Sequence, residues 1–146
     1  MRTDSTTATG TDLGFLLALA SRRFNERLTE RLAEEGFAGV RASYGSVLVP
    51  LFEQDGLRVG EIGERSRLSK QSMTRLVAQC EADGLVRRRR DADDGRAFRV
   101  ELTERGQRLR AVAQAVVAEL DGEIAAALGV DDHHALKRAL KGVLDL

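Results

Sequence analysis

Residues 59–84 read VGEIGERSRLSKQSMTRLVAQCEADG and carry the clearest signal of the fold. Their apolar spacing predicts a short helix over about residues 60–66, then a turn, then a second helix that ends at Asp83–Gly84. Ser69 is suited to begin that second helix, because its hydroxyl can accept a hydrogen bond from a free amide of the first turn. The apolar stripe of the second helix is formed by Met73, Leu76, Val77 and Cys80.

The next segment, LVRRRRDADDGRAFRVEL at residues 85–102, predicts a β-hairpin with a charged tip. Asp94–Gly95 is a turn signal, and Phe98, Val100 and Leu102 alternate with polar residues as in a half-buried strand. A helix, a turn, a capped helix and a basic hairpin follow one another in the order of a winged helix-turn-helix. In that fold the capped helix can enter the major groove of DNA.

Helices are also predicted on the N-terminal side of this unit. Apolar residues recur every three or four positions from Leu13 to Leu32, which predicts an amphipathic helix that ends near Gly36. The same spacing from Tyr44 to Phe52 predicts another helix. Pro50 lies inside it and lacks an amide hydrogen, so we expect a kink or a displaced helix start there.

Two more helices are predicted on the C-terminal side. Thr103 can cap a long helix whose apolar stripe runs from Leu109 to Leu128. Gly129 interrupts this helix, and a final helix is predicted to begin at Asp131. The apolar residues expected to face inward from that final helix are Leu136, Leu140, Val143 and Leu144.

The composition is that of an ordinary globular domain, with 42% hydrophobic and 32% charged residues and no net charge. The charge is unevenly distributed, because ten basic and five acidic residues lie between Arg65 and Arg99. This segment carries a net charge of +5 and the remainder −5, so one face can attract phosphate. Residues 1–10 predict a flexible tail without the apolar block of a signal peptide. No apolar run is long enough to cross a membrane, and a cytoplasmic location is expected.

These residues resemble the MarR family of bacterial transcriptional regulators. Residues 59–88 resemble the family's third and fourth helices and first wing strand, and residues 91–106 resemble its wing and the start of its fifth helix. The resemblance implies a mainly α-helical homodimer with a small β-hairpin wing in each chain, in which the first, fifth and sixth helices of two chains intertwine. It implies a helical dimerisation region over residues 11–39 and 103–146 and a DNA-binding lobe over residues 40–102.

The same resemblance implies which residues contact double-stranded DNA. Arg96 is expected at the wing tip, against the minor groove. Asp91 or Asp94 could also hold it within the hairpin, and the two roles are compatible if the ion pair pre-shapes the wing. Arg88 and Arg90 are weaker candidates for phosphate contacts, since a run of charge is usually a solvated strand edge. The residues expected to face the major groove are Ser69, Lys70, Gln71, Ser72, Thr74 and Arg75.

Two positions depart from the family pattern. Ala92 stands where members often have a proline, so the wing is expected to be looser. Gly63 replaces a residue that is commonly alanine, which should weaken the short helix by roughly 1 kcal/mol. Neither position belongs to the expected contact surface.

The family often binds small anionic or phenolic effectors between the dimer region and the DNA-binding lobe. Arg22, Arg41 and Tyr44 are weak candidates for that role, and salt bridges and core packing explain them equally well. Cys80 lies on an apolar stripe, so we interpret it as a buried, unreactive thiol rather than an oxidant sensor. His133 and His134 are adjacent rather than four residues apart, so we interpret them as surface residues rather than metal ligands.

No catalytic constellation, phosphate loop or zinc spacing appears, so neither an enzyme nor a cofactor is expected. The sequence therefore predicts a homodimeric, sequence-specific DNA-binding regulator, expected to act as a repressor and to be released by a small effector. The alternative is a winged-helix module that binds proteins without specific DNA binding, because the apolar stripe from Leu109 to Leu128 could engage another partner.

Overall fold

The computed structural model describes residues 11–146 in two compact units, one reaching to Ala42 and the other running over Ser43–Leu146. The predicted tail over residues 1–10 lies outside the described residues. In the first unit, helix α1 spans Leu13–Glu34. Its N-cap Asp12 accepts a hydrogen bond of 3.2 Å from the amide of Phe15.

The second unit holds five helices and a small sheet within its described residues. A 3-10 turn, Ala42–Tyr44, leads into it from the first unit. The helix that begins at Ser69, the short helix before it and the hairpin after it all lie where the sequence predicts them. The elements in chain order are α2 (Gly45–Glu53), β1 (Leu57–Arg58), α3 (Val59–Ser66), α4 (Lys70–Ala82), β2 (Val86–Arg90), β3 (Phe98–Leu102), α5 (Glu104–Leu128) and α6 (Val130–Leu144).

The sheet is antiparallel with strand order β1-β3-β2. Val86 pairs with Leu102 in the predicted hairpin, and Leu57 pairs with Val100 on the other side of β3. The sequence did not predict β1, because it is only two residues long and forms by pairing with a distant strand. This third strand ties the wing to the start of α3, which follows β1 directly.

The core of the second unit lies between the sheet and helices α2, α3 and α4. The apolar stripe predicted for α4 is confirmed, since Met73, Val77 and Cys80 are at most 1% exposed. Leu76 is half-buried. The other large side chains that are almost fully buried include Val47, Leu51, Leu57, Ile62, Leu85, Val86, Val100 and Leu109.

Pro50 is accommodated inside α2 rather than ending it. Because proline has no amide hydrogen, the carbonyl four residues earlier, that of Ser46, lacks its helical donor. The hydroxyl of Ser66 in α3 donates to this carbonyl oxygen instead. The expected cost of the proline is therefore offset by a hydrogen bond that joins α2 to α3.

Gly63 allows the α3–α4 turn to pack closely on α3. A Cβ added at Gly63 would lie 3.1 Å from the carbonyl oxygen of Leu68 and 3.8 Å from the Cβ of Met73. The weakening of α3 by this glycine stays a prediction, whereas the close approach of the turn gives the glycine a packing role.

Helix α6 differs from its predicted orientation. The four apolar residues expected to face inward, Leu136, Leu140, Val143 and Leu144, are 39–57% exposed in this chain. His133, which was predicted to lie on the surface, is instead only 8% exposed, whereas His134 is exposed. Both predictions were wrong for the same reason: α6 packs on α5 through the face that carries His133, and its leucine-rich face points away from the chain's own core.

Candidate nucleic-acid interface

Helix α4 presents the six residues expected to face the major groove, and all six are exposed. Ser69 is the N-cap, and its hydroxyl oxygen accepts a hydrogen bond from the amide of Ser72 at 3.1 Å, as predicted. The same hydroxyl group donates to the hydroxyl oxygen of Ser72 at 3.0 Å. The Thr74 hydroxyl donates to the carbonyl oxygen of Lys70 at 2.8 Å. These two hydroxyl groups therefore already have partners inside the helix.

The longer side chains of α4 are differently placed. Lys70, Gln71 and Arg75 are exposed, and within residues 11–146 their side chains make no hydrogen bond or ion pair. Their donors are therefore available to a partner molecule. Lys70 and Arg75 carry positive charge, and Gln71 carries both a donor and an acceptor, which is the equipment for phosphate and base-edge contacts.

The position of α4 is fixed at its far end as well as by its buried stripe. Asp83 is the C-cap of α4, and its carboxylate accepts a hydrogen bond from the hydroxyl of Tyr44. Tyr44 is only 3% exposed. A helix held by packing along one face and by a side-chain bond at its end presents its exposed residues at a defined angle.

The arginine run of β2 divides between the two faces of the strand. Arg87 and Arg89 lie on one face, where both pair with Glu101 of β3 at 3.3 and 3.4 Å. Arg88 and Arg90 lie on the other face, as the alternation of a strand requires. Two of the four arginines thus share one carboxylate within the wing.

Arg88 and Arg90, the two candidates for phosphate contacts, have local partners. Arg88 pairs with Glu81 of α4 at 3.3 Å, and its side-chain and backbone hydrogen bonds lower the pKa of Glu81. The guanidinium of Arg90 lies 5.8 Å from the centre of the Phe98 ring, a cation–π distance. Phe98 was predicted to share the apolar face of a half-buried strand with Val100 and Leu102, but it is 42% exposed and forms part of the wing's surface.

Asp91 is the buried charged residue at the base of the wing, and its network was not predicted. Its carboxylate accepts from the guanidinium of Arg58 at 2.8 and 3.0 Å and from Arg99 at 3.1 Å. It also accepts from the amide of Asp93 at 2.9 Å. That amide bond is the largest cause that lowers the pKa of Asp91, and the arginines add to it against the opposing effect of burial. Because Arg58 is the N-cap of α3, this network ties the wing to α3.

The wing tip leaves Arg96 exposed. Its backbone amide donates to the carboxylate of Asp94 at 3.1 Å, but within the described chain its guanidinium makes no ion pair. Asp91, one of the two acids that could have held Arg96, is occupied by Arg58 and Arg99. The Arg96 guanidinium is therefore available for an external contact.

The candidate effector residues are not brought together by any described contact. The hydroxyl of Tyr44 is bonded to Asp83, which gives it a role in supporting α4. Arg22 and Arg41 belong to the first unit and are exposed. Their part in binding a small molecule stays a prediction.

Cys80 is fully buried, as predicted. Burial, with a smaller contribution from Asp83, raises the pKa of its thiol to about 12, so the thiol is protonated at neutral pH. Across residues 11–146 no three metal-ligating side chains lie close enough together to hold an ion. In the same residues, no helix combines the length and the apolar character needed to span a bilayer.

A short helix, a tight turn, a capped helix with an exposed polar face and a three-stranded sheet with a basic hairpin define a winged helix-turn-helix protein. A family model described as the MarR family matches residues 44–97, a range that holds α2, β1, α3, α4 and β2 and ends directly before β3. The chain belongs to the MarR family. The resemblance and the mainly helical winged fold predicted from the sequence are thus confirmed, and the homodimer stays a prediction.

Individual relatives agree with this assignment. The chain is 44% identical to the HTH-type transcriptional regulator TtmR of Methylorubrum extorquens over 64 residues, 44% of this chain and 33% of TtmR. It is 30% identical to the HTH-type transcriptional repressor Rv2887 of Mycobacterium tuberculosis over 91 residues, 62% of this chain and 66% of Rv2887. The chain therefore spans a third of the length of one curated relative and just under two thirds of the other. Both names describe regulators rather than enzymes, as predicted.

Solved structures share the fold over nearly the whole chain. The transcriptional repressor CouR, solved bound to a 23-mer DNA duplex, superposes with a TM-score of 0.79 at 24% identity, covering 95% of this chain and 99% of CouR. The structure of Rv2887 in complex with salicylic acid superposes with a TM-score of 0.63 at 26% identity, covering 91% of this chain and 96% of that one.

Proposed function

We propose that this chain is a sequence-specific DNA-binding transcriptional regulator that represses its target genes as a cytoplasmic homodimer. The observation that supports this most strongly is the state of α4. One face is buried in the core, while Lys70, Gln71 and Arg75 on the exposed face have no side-chain partner within residues 11–146. The duplex bound by CouR supports the same activity for the shared fold.

Each candidate contact has a role that follows from its chemistry. Gln71 and Arg75 read base edges in the major groove, and Lys70 binds phosphate. Ser72 keeps its hydroxyl hydrogen for a phosphate, whereas Ser69 and Thr74 act chiefly inside the helix. Arg96 enters the minor groove. Arg88 and Arg90 add phosphate contacts from the wing if DNA displaces or supplements their present partners.

A second copy of the chain completes the functional unit. Residues 11–39 and 103–146 form the dimerisation region, and residues 40–102 form the DNA-binding lobe. Exposed apolar side chains support this division, because a monomer would leave them in water. They include Leu13, Phe15, Leu16 and Leu19 on α1, Val117 and Leu128 on α5, and Leu136, Leu140, Val143 and Leu144 on α6. The dimer binds a pseudo-palindromic operator with half-sites roughly 34 Å apart.

A small aromatic or anionic effector releases the protein from its operator. The salicylic acid bound by Rv2887 supports this class of molecule. Arg22 and Arg41 supply positive charge for an anion, and Tyr44 supplies a hydroxyl group that now holds the C-cap of α4. Titration of salicylate into the protein–operator complex tests this step. Release that is lost in an Arg41→Ala variant would support the assignment, and release that is unchanged would refute it for Arg41.

Selection of bound fragments from the source genome tests the proposed function. Specific binding should yield a pseudo-palindromic site, and the affinity should fall steeply with added salt as bound counterions are released. If no affinity for duplex DNA is detected even at low salt, the chain is instead a protein-binding winged-helix module.

Arg96→Ala separates a DNA-contacting wing from a structural one. The variant should lower operator affinity by about 1–3 kcal/mol, with little change in melting temperature, because the guanidinium has no ion pair in the described chain. Arg87→Ala is the matched control, since it removes the same charge from the wing at a residue paired with Glu101. A large loss of thermal stability in Arg96→Ala would show that Arg96 is structural.

A further inference from the structure

The turn between α3 and α4 is bonded to the end of the last helix. Arg67, in this turn, donates a hydrogen bond from its Nη1 to the carbonyl oxygen of Leu144, the last residue of α6. The residues are 77 positions apart in the chain. A cation is favoured at this place, because the last carbonyl groups of a helix carry partial negative charge and lack helical donors.

The path of the chain explains how α6 reaches the DNA-binding lobe. Helix α5 leaves the sheet after Thr103 and runs for 25 residues, about 37 Å. Helix α6 runs for 15 residues, about 22 Å, and ends at the α3–α4 turn. Asp121 of α5 holds α6 through His133 at 2.9 Å and Lys137 at 3.2 Å. The end of α6 is therefore positioned by α5 at one point and by Arg67 at another.

The turn that carries Arg67 is tightly constrained. Arg67 is the only non-glycine residue among residues 11–146 with a positive φ, 54°. The amide of Leu68 bonds the carbonyl oxygen of Gly63 at 3.0 Å, and Ser69, the N-cap of α4, follows directly. The turn fills the space beside Gly63, since an added Cβ there would lie 3.1 Å from the carbonyl oxygen of Leu68. If Arg67 moves, the N-terminal end of α4 is therefore expected to move with it, because the turn is too tightly bonded to change shape.

We propose that Arg67 is a positioning residue that couples α6 to the DNA-reading helix. When the dimer forms through α6, the Arg67–Leu144 bond fixes the N-terminal end of α4 relative to the dimer. The distance between the two α4 helices, and hence the operator spacing that the protein accepts, then depends on this bond. This inference rests on the proposed function, because it concerns how a DNA-binding dimer selects its site.

The test compares four proteins: wild type, Arg67→Ala, a truncation after Val143 that removes the Leu144 carbonyl group, and the combination of both. The readout is the ratio of dissociation constants for the selected operator and for the same operator with two base pairs inserted between its half-sites. Arg65→Ala is the matched control, because it removes one positive charge from α3 at a residue bonded to Gln54 rather than to α6.

The expected result is that Arg67→Ala and the truncation each reduce the spacing discrimination by about 5-fold or more, a usual size for coupling between sites. The combined variant should lose no more than either change alone, because both remove the same bond. Arg65→Ala should retain the discrimination. If Arg67→Ala discriminates like wild type, or if the two losses multiply in the combined variant, the coupling is overturned.

If the truncated chain no longer dimerises, a second readout tests the coupling between Arg67 and α4. Hydrogen exchange of the Ser72 and Met73 amides, in the first turn of α4, should be faster in Arg67→Ala than in wild type and in Arg65→Ala. Equal exchange in all three would refute the coupling. Wild-type protein that fails to bind any duplex would overturn the proposed function and the inference together, whereas specific binding with unaltered spacing selectivity in Arg67→Ala would overturn the inference alone.

Discussion

Gly106 lies in the first turn of α5, against the residue that precedes β2, and its replacement by alanine should destabilise the protein. A Cβ at this position would lie 2.2 Å from the carbonyl oxygen of Leu85 and 3.2 Å from Cδ2 of Leu102. The Leu85 oxygen cannot simply turn away, because it accepts the amide hydrogen of Thr103 at 3.0 Å. The clash must be relieved by moving α5 away from the sheet.

The size of the effect follows from these contacts. Forced overpacking costs about 1–3 kcal/mol. Moving the first turn also weakens the N-cap, in which the Thr103 hydroxyl oxygen accepts from the Gly106 amide at 3.1 Å. Such a cap contributes about 1 kcal/mol to the free energy of unfolding. The higher helix propensity of alanine adds up to about 1 kcal/mol to the free energy of unfolding and offsets part of this loss. The net loss should be roughly 2 kcal/mol, equivalent to a fall in melting temperature of about 5 °C in a chain of this length.

Urea unfolding followed by circular dichroism measures this difference. Gly122→Ala is the matched control, because Gly122 lies in the same helix and an added Cβ would meet nothing within 4 Å. The control should be as stable as wild type or more stable by up to about 1 kcal/mol. A Gly106→Ala protein as stable as Gly122→Ala would refute the packing described for the start of α5.

Three further predictions concern the wing, the cap of α4 and the buried thiol. The hydrogen bonds to the Asp91 carboxylate lower its pKa, so the stability that they add is present above the ordinary value of 3.8 and is lost as the pH falls through the lower pKa of the folded protein. Urea unfolding at several pH values should show this loss of stability at acid pH in wild type and a weaker loss in Asp91→Asn; identical pH profiles would contradict it. Ser69→Ala should cost about 1 kcal/mol of unfolding free energy through loss of the N-cap, while Ser72→Ala costs less; equal losses would argue against the cap. Cys80 should react with a thiol reagent only as fast as the protein unfolds, since it is fully buried; rapid labelling of the folded protein would contradict its burial.

The helix-turn-helix and the hairpin could be predicted because their signals are local. The period of the apolar residues, the Ser69 cap and the Asp94–Gly95 turn each act within a few residues, so the sequence carries them directly. The strand β1 could not be predicted in this way. Its two residues become a strand only by pairing with β3, which is about forty residues away in the chain.

Side-chain partners from distant elements were equally hard to predict. The arginine run suggests a surface open to phosphate, but Glu81 and Glu101 pair with three of its four members. Asp91 is held by Arg58, which no local pattern connects to the wing. The residues of α4 were easier, because an exposed helical face follows from the periodicity of the buried one.

The orientation of α6 shows a different limit. Its leucine spacing predicts an apolar face correctly, but periodicity does not say whether that face meets the same chain or another one. Within this chain, α6 uses the face of His133 to contact Asp121 of α5. The leucine face is exposed in this chain, which agrees with the proposed dimer.

The proposed function requires two copies of α4, one from each chain of a dimer, to occupy successive major grooves on one side of the operator. Hydroxyl-radical footprinting of the selected operator, combined with the mass of the complex, tests this most directly. We expect two protected stretches with centres about 10 base pairs apart and two chains on each duplex. One protected stretch occupied by a single chain would contradict it.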